Sequence, residues 1–361
     1  MDSRAWDVFC RVIDNYGDAG VCWRLCQDLA RRGHQVRLWI DDARPLQWMA
    51  DPAGLEAVQL MAWDEAALHF EARPGGVVIE AFGCELPDAV KARMAAATPT
   101  PQWVNLEYLS AEDYVERSHG LRSPQWQGPA AGLEKFFFYP GFTTRTGGLL
   151  REPGLIEALD AADHQPWLAR QGVSPKAGER LVSLFCYDNP ALPRLMRGLA
   201  DTPTLVLACP GPGSRMLQTL QAANALPEGL RVQHLPFMHQ DDFDRLLSAC
   251  DLNLVRGEDS FVRAQWAGRP FVWHIYPQDD GAHEAKLQAF MDRAFVGMTP
   301  AQRRAWQALW RAWNGLDAEA EASGALRPPA LAPATEVFRS WRSELLTQID
   351  LVTQLQDFLL R

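Results

Sequence analysis

Short apolar runs alternate with stretches of helical spacing along most of the chain. In the first half, runs at 6–13, 35–40, 76–82, 102–109 and 135–139 predict strands, with helical spacing at 20–32 and 86–96 among the segments between them. In the second half the strands fall at 180–186, 204–208, 231–235, 252–255 and 271–275. Helices fit there at 191–200, 214–223, 241–249, 260–267 and 282–294. Strands that alternate with helices imply parallel sheets joined by crossover connections, so the chain reads as two α/β halves. The segment 151–179, with Pro153, Pro166, Gly172, Pro175 and Gly178, breaks the pattern and reads as the connection between them. The stretch 315–334, rich in Ala, Pro and Glu, breaks it again. Beyond it, Val337, Trp341, Leu345, Ile349, Val352, Leu355 and Leu359 recur at helical spacing and predict a terminal helix over 335–360.

Two junctions between a strand and a helix carry unusual chemistry. The first is Arg256-Gly257-Glu258-Asp259-Ser260-Phe261-Val262-Arg263-Ala264-Gln265-Trp266, which follows the apolar run 252–255 and stops at Gly268-Arg269-Pro270. It places free main-chain N–H groups, the positive end of a helix dipole and an arginine at one spot, which suits a phosphate. The carboxylates of Glu258 and Asp259 suit sugar hydroxyls, because an ionised carboxylate only accepts hydrogen bonds. Phosphate and hydroxyls together are what a nucleotide sugar presents. The same residues also fit a capped helix, with Asp259 or Ser260 as the cap.

The second junction is Asp14-Asn15-Tyr16-Gly17-Asp18-Ala19-Gly20, between the strand at 6–13 and a helix marked by Val21, Trp23, Leu25, Cys26 and Leu29. Gly17 and Gly20 permit positive φ or close approach of another group to the backbone. The turn lacks the glycine spacing of a dinucleotide fingerprint and carries two carboxylates instead. Asp14 and Asp18 would repel a pyrophosphate. A diphosphate is therefore expected in the other half, and a cation or nucleophile here. The plainer alternative is a turn whose Asp and Asn side chains only cap local backbone.

Taken in order, Asp-Asn-Tyr-Gly-Asp-Ala-Gly-Val with Trp-Arg-Leu, then Leu-Phe-Cys-Tyr, then Arg-Gly-Glu-Asp-Ser-Phe-Val-Arg-Ala-Gln-Trp-Ala-Gly resemble the bacterial elongation factor P (EF-P) arginine rhamnosyltransferases, the EarP family. The likeness spans nearly the whole chain. It implies an α/β fold of the GT-B type, with two Rossmann-like domains facing a central cleft. It implies an acceptor-side domain at 1–160, to which a C-terminal helix at 335–361 crosses back, and a nucleotide-sugar domain at 161–334. It implies inverting transfer of L-rhamnose from dTDP-β-L-rhamnose to one arginine of EF-P. By the same resemblance, Phe185 and Tyr187 lie against thymine and phosphates, and Gln240 and Phe243 serve the base. Each assignment is physically reasonable. Residues two apart on an extended segment face the same way, a Gln amide offers both donor and acceptor to a pyrimidine edge, and ligands sit at the carboxyl ends of strands in open α/β sheets. Core packing is the alternative for both phenylalanines. Asn15, Gly17, Arg256, Glu258, Asp259 and Ser260 complete the expected donor contacts, and Asp14, Asp18 and Glu258 are the candidate catalytic groups.

Composition narrows the setting. The 361 residues, 47% hydrophobic and 22% charged, allow two domains with proper cores. A net charge of −10 argues against general nucleic-acid binding and an anionic membrane surface, and fits a partner that presents a cation. No apolar run approaches the roughly 20 residues of a membrane helix, and the start shows no secretion signal, so a cytoplasmic enzyme is expected. The seven cysteines lie mostly in apolar runs without a Cys-x-x-Cys pair and read as reduced core residues. The eight histidines show no metal-ligand spacing. A metal-independent enzyme without cofactor is expected, with Arg256 and a helix N-terminus stabilising the leaving diphosphate. Trp306, Trp310 and Trp313 fall at helical spacing and read as core. The stretch Pro277-Gln278-Asp279-Asp280-Gly281-Ala282-His283 reads either as a nucleotide contact or as a turn with a helix cap.

The acceptor poses a chemical problem. A guanidinium is protonated at neutral pH and is a poor nucleophile. Asp14 and Asp18 can hold it through charge-assisted hydrogen bonds, and one of them must accept a proton as the nitrogen attacks. Glu258 binds either rhamnose hydroxyls or the arginine. Two other classes remain open at this point: a GT-B transferase with a small-molecule or glycan acceptor, and a non-catalytic nucleotide-sugar sensor.

Overall fold

A computed structural model describes residues 4–14, 16–73, 75–278, 281–317 and 324–359. The chain forms two compact units, Met1–Pro153 with Gln348–Arg361, and Gly154–Thr347.

In the first unit, β1 (Ala5–Cys10), α1 (Gly17–Arg31), β2 (Gln35–Ile40), β3 (Val58–Ala62), β4 (Val77–Ala81), α2 (Asp88–Ala96), β5 (Gln102–Leu106), β6 (Arg122–Pro124) and β7 (Glu134–Phe138) follow one another. The sheet order is β3-β2-β1-β4-β5-β7-β6. All neighbours are parallel except β6, which runs antiparallel to β7 at one edge. The expected helix at 20–32 forms because Cys22, Trp23, Leu25, Cys26 and Leu29 make one fully buried face against Val8, Leu38 and Ile79. β1 stops at Cys10 rather than at residue 13, since the amides of Ile13 and Asp14 bond to the Asp18 carboxylate. β3 and β6 escaped the sequence pattern. Both are edge strands, and β3 exposes most of its residues, so neither shows a buried run.

The second unit repeats the plan with β8 (Arg180–Leu184), α3 (Leu192–Leu199), β9 (Thr204–Ala208), α4 (Pro212–Ala222), β10 (Leu230–His234), α5 (Gln240–Ala249), β11 (Leu252–Arg256), α6 (Asp259–Ala267), β12 (Phe271–His274), α7 (Ala282–Ala294), α8 (Pro300–Trp313) and α9 (Leu331–Leu346). Its sheet is all parallel in the order β10-β9-β8-β11-β12. Aromatic rings fill the layer between sheet and helices. Phe261 stacks on Trp273 at 3.9 Å, and Phe290 stacks on Trp310 at 5.7 Å. Trp306, Trp310 and Trp313 are all buried there, as their spacing predicts. Two doubly wound, Rossmann-like units in one chain are the ingredients of the GT-B type.

The terminal helix differs from the expectation. It is two helices, α9 and α10 (Leu351–Leu359), and the chain passes from one unit to the other between Thr347 and Gln348. Residues 335–347 thus belong to the second unit rather than crossing back. Phe338 packs on Phe271 at 5.0 Å and Trp306 at 5.5 Å, and Trp341 donates its indole N–H to Gln265 Oε1 at 2.9 Å. At the other end, Asp160 pairs with Arg342, which draws the boundary back from 160 to Pro153. Leu351, Val352, Leu355 and Leu359 join the core of the first unit, and Phe358 packs against it. Among the described residues no helix is long and apolar enough to cross a membrane.

Candidate active site

Both sheets reverse their strand order at one place, between β1 and β4 in the first and between β8 and β11 in the second. The helices leave opposite faces of the sheet there, which opens a crevice at the carboxyl ends of the strands. Both sequence-predicted junctions lie at such a point.

In the first unit the loop after β1 is closed by Asp18. This side chain is buried, and its Oδ2 accepts the main-chain N–H of Ile13 at 2.8 Å and of Asp14 at 2.9 Å. The Gly17 amide donates to the Asp14 carbonyl at 2.6 Å. A Cβ on Gly17 would lie 2.6 Å from Asp14 Oδ2, so a side chain here would displace that carboxylate, and Gly17 has no positive φ. Asp14 and Asp18 are thus brought together, with Asp18 holding the loop that carries Asp14. Asn15, expected at the donor, lies outside the described residues. Under the loop, Cys10 is kept protonated by its hydrogen bond with Cys22 and by burial, so no thiolate competes with the two carboxylates.

The loop after β4 borders the same crevice and was not anticipated. Phe82 and Glu85 have φ of 57° and 52°, rare for residues with a Cβ. Two buried side chains hang this loop: Asn105 Oδ1 accepts the Gly83 N–H at 3.2 Å, and Glu80 Oε1 that of Glu85 at 3.0 Å. Phe82 stacks on Tyr108 at 4.5 Å, and burial raises the neighbouring Glu107 carboxyl above the ordinary carboxylate range. Non-glycine residues at positive φ leave no local sequence sign, so this wall was invisible beforehand.

In the second unit Arg256 ends β11. It is 4% exposed, and its guanidinium lies 4.3 Å from the ring centre of Phe185 and 4.7 Å from that of Tyr187. Two aromatic faces therefore hold the cation in place. Phe243, from α5, meets Phe185 edge-on at 5.7 Å. His274 packs against Tyr187, and burial together with the Arg256 charge pushes its pKa down to about 3, so it adds no second positive charge. The thiols of Cys186 and Cys209 are pushed up to about 12 by burial, against the pull of Arg256. No anion of the protein's own is created beside the guanidinium by them.

The turn from β11 into α6 is closed by hydrogen bonds of its own. Gly257 has φ 59°, and its carbonyl accepts the Trp273 indole N–H at 2.7 Å. The Ser260 hydroxyl accepts the Arg256 N–H at 3.0 Å and donates to the Arg256 carbonyl at 2.5 Å. It is thus committed to the turn itself, where a phosphate contact was expected. Gln240 Nε2 lies 3.4 Å from Asp259 Oδ2, which ties the head of α5 to the head of α6. Glu258 Oε1 accepts from Lys286 Nζ at 2.9 Å.

Two further elements adjoin these residues without having been foreseen. Tyr276, 45% exposed, meets Tyr187 edge-on at 5.5 Å. The turn Cys209-Pro210-Gly211-Pro212-Gly213-Ser214 opens α4 after β9. A Cβ on Gly211 would touch Phe185 at 4.0 Å, and one on Gly213 would collide with Cys186 Sγ at 2.6 Å. Its signal was present, as a Gly-Pro-Gly turn after a strand. Among the described residues no group of three or more His, Cys, Asp or Glu side chains is placed to hold a metal ion.

The comparisons with known proteins cover the whole chain. The family model described as Elongation-Factor P (EF-P) rhamnosyltransferase EarP matches residues 6–360. A protein-arginine rhamnosyltransferase of Pseudomonas putida is 43% identical over 98% of this chain and 98% of its own. One of Pseudomonas aeruginosa is 46% identical over 86% of this chain and 87% of its own. The solved structure described as the structural basis for EarP-mediated arginine glycosylation of translation elongation factor EF-P superposes with a TM-score of 0.64 at 34% identity, covering 98% of each chain. With both junctions in place at their crevices and this match from end to end, the chain belongs to the EF-P rhamnosyltransferase EarP family and is a glycosyltransferase.

Proposed function

We infer that the protein transfers L-rhamnose from dTDP-β-L-rhamnose to an arginine side chain of EF-P, with inversion at the anomeric carbon, in the cytoplasm. The observation that carries this reading is the Arg256 guanidinium, buried between Phe185 and Tyr187 at the head of α6, in a chain that matches the family throughout. Arg256 and the N-terminal amides of α6 meet the diphosphate. Phe185 and Phe243 take the base, and Glu258 and Asp259 take the sugar hydroxyls. The first unit takes the acceptor.

In the reaction the bond from the anomeric carbon to the diphosphate oxygen breaks, and the bond to an arginine nitrogen forms on the opposite face. The electron pair leaves with dTDP, whose added charge falls on Arg256 and the helix head. No metal ion or cofactor is part of this proposal. The attacking nitrogen becomes acidic as it bonds to carbon, and its proton passes to Asp18. Pinning Oδ2 by two main-chain N–H groups fixes the direction of the Asp18 carboxylate. Asp14, held over Gly17, binds the guanidinium and localises its charge.

The test is to incubate the protein with dTDP-β-L-rhamnose and purified EF-P, then weigh the acceptor and map the modified residue. One added deoxyhexose on arginine is expected. Release of dTDP with EF-P unmodified would point to a different acceptor, and absence of turnover to a nucleotide-sugar sensor.

A further inference from the structure

Glu258 stands in the turn between β11 and α6, and its carboxylate is met by a residue 28 positions further on. Lys286 Nζ lies 2.9 Å from Glu258 Oε1, and the two side chains are 19% and 17% exposed. The pairing follows from how α7 docks. Phe290 packs edge-on against Phe261 of α6 at 4.6 Å and is buried. Lys286 precedes Phe290 by four residues, so the two share a face of α7. Glu258 precedes Phe261 by three. The ring contact thus anchors α7, and one turn earlier the ammonium is delivered to the head of α6.

Both side chains are largely out of solvent, so their attraction is screened less than that of a surface pair. Such a pair controls direction. With Oε1 held, the orientation of the whole Glu258 carboxylate is set. We propose that Lys286 is a positioning residue that aims Glu258 at the sugar of the donor, so that it governs recognition of the glycosyl group and leaves recognition of the nucleotide to Arg256. This rests on the reading that Glu258 contacts the sugar. The chemical class it selects is a hydroxylated, uncharged hexosyl group, whose hydroxyls donate to an ionised carboxylate.

The experiment is titration calorimetry of dTDP and of dTDP-β-L-rhamnose with Lys286→Met, Lys286→Gln, Lys286→Arg, Glu258→Gln and the double variant Lys286→Met with Glu258→Gln. Lys286→Met and Lys286→Gln should bind dTDP as the wild type does, which also reports that they fold. They should bind dTDP-β-L-rhamnose about 10-fold more weakly, the scale of one charge-assisted hydrogen bond. Lys286→Arg should restore most of that loss. The double variant should be no weaker than Glu258→Gln alone, because both changes act through one carboxylate. Equal weakening toward both ligands, or additive losses in the double variant, would overturn the proposal and leave Lys286 a structural residue. If Glu258→Gln binds dTDP-β-L-rhamnose normally, the reading of Glu258 itself fails, an outcome distinct from failure of Lys286 alone.

Discussion

The Arg256 guanidinium lies 4.3 Å from the centre of the Phe185 ring, joining the end of β11 to the end of β8 across the point where the second sheet reverses its order. A buried arginine is costly unless its charge is met. The two aromatic faces meet part of that cost and keep the fork fixed in direction.

Arg256→Ala should therefore weaken binding of dTDP itself, whatever sugar it carries, by roughly 1.5–3 kcal/mol. Arg256→Lys should recover little, since an ammonium neither stacks on two rings nor forks. Titration calorimetry with dTDP checks both. Normal affinity in a folded Arg256→Ala variant would move the diphosphate elsewhere.

Ser260→Ala removes the acceptor for the Arg256 amide at 3.0 Å, inside a buried turn. The expected result is a loss of about 1–3 kcal/mol of folding stability, the cost of a buried donor left without a partner. Affinity for dTDP should fall only as far as Arg256 shifts. Denaturant unfolding alongside calorimetry separates the two. A stable variant with much weaker dTDP binding would restore the direct phosphate contact.

Gly17→Ala places a methyl group 2.6 Å from Asp14 Oδ2 and must push that carboxylate aside. Rhamnosylation of EF-P should drop while dTDP itself still binds, because Phe185, Phe243 and Arg256, proposed for the nucleotide, belong to the other unit. Single-turnover assays at saturating donor decide this. Unchanged turnover would show that Asp14 need not sit where it does.

Asp18→Asn keeps the shape of the side chain and an oxygen for the Ile13 and Asp14 amides, but removes charge and basicity. Turnover should fall by about 10²–10⁴-fold, the usual contribution of a positioned base. Asp14→Asn should also lose activity. The two losses should not add, because both groups act on one guanidinium. Near wild-type turnover in Asp18→Asn would pass the proton to another carboxylate.

His274 has a folded-state pKa pushed down to about 3, far below the ordinary histidine value, by burial and by Arg256. Its unfolded form binds a proton that the folded form refuses. Its contribution to stability is therefore complete above about pH 6.5 and is lost as the pH falls from there toward 3. Within that window His274→Asn should show a shallower loss of stability than the wild type, by up to about 1.4 kcal/mol per pH unit. Urea unfolding at a series of pH values measures it. Identical slopes would mean that His274 is protonated in the folded protein.

Much of this was readable from local pattern. Buried parallel strands such as Thr204–Ala208 are continuous apolar runs, and in helices such as Gly17–Arg31 the large apolar residues Cys22, Leu25, Cys26 and Leu29 recur every three or four residues. Both features are written within a dozen neighbours. The chemistry at the two junctions was legible for the same reason, since a strand, a glycine turn and a helix place their residues by local geometry. What required the fold were relations between distant residues. The edge strand Val58–Ala62 takes its pairing from β2 rather than from its own half-exposed sequence. One apolar stripe from Val337 to Leu359 belongs to two units, because Phe338 and Trp341 find partners near Phe271 and Gln265 while Leu351 and Leu355 find theirs in the first core. Periodicity says that a face will be buried but not against what. Likewise a serine beside an arginine suggests a phosphate ligand, and only the closed turn shows its hydroxyl spent on the Arg256 main chain. The positive φ of Phe82 and the reach of Lys286 to Glu258 are imposed by surrounding packing and leave no trace in adjacent residues.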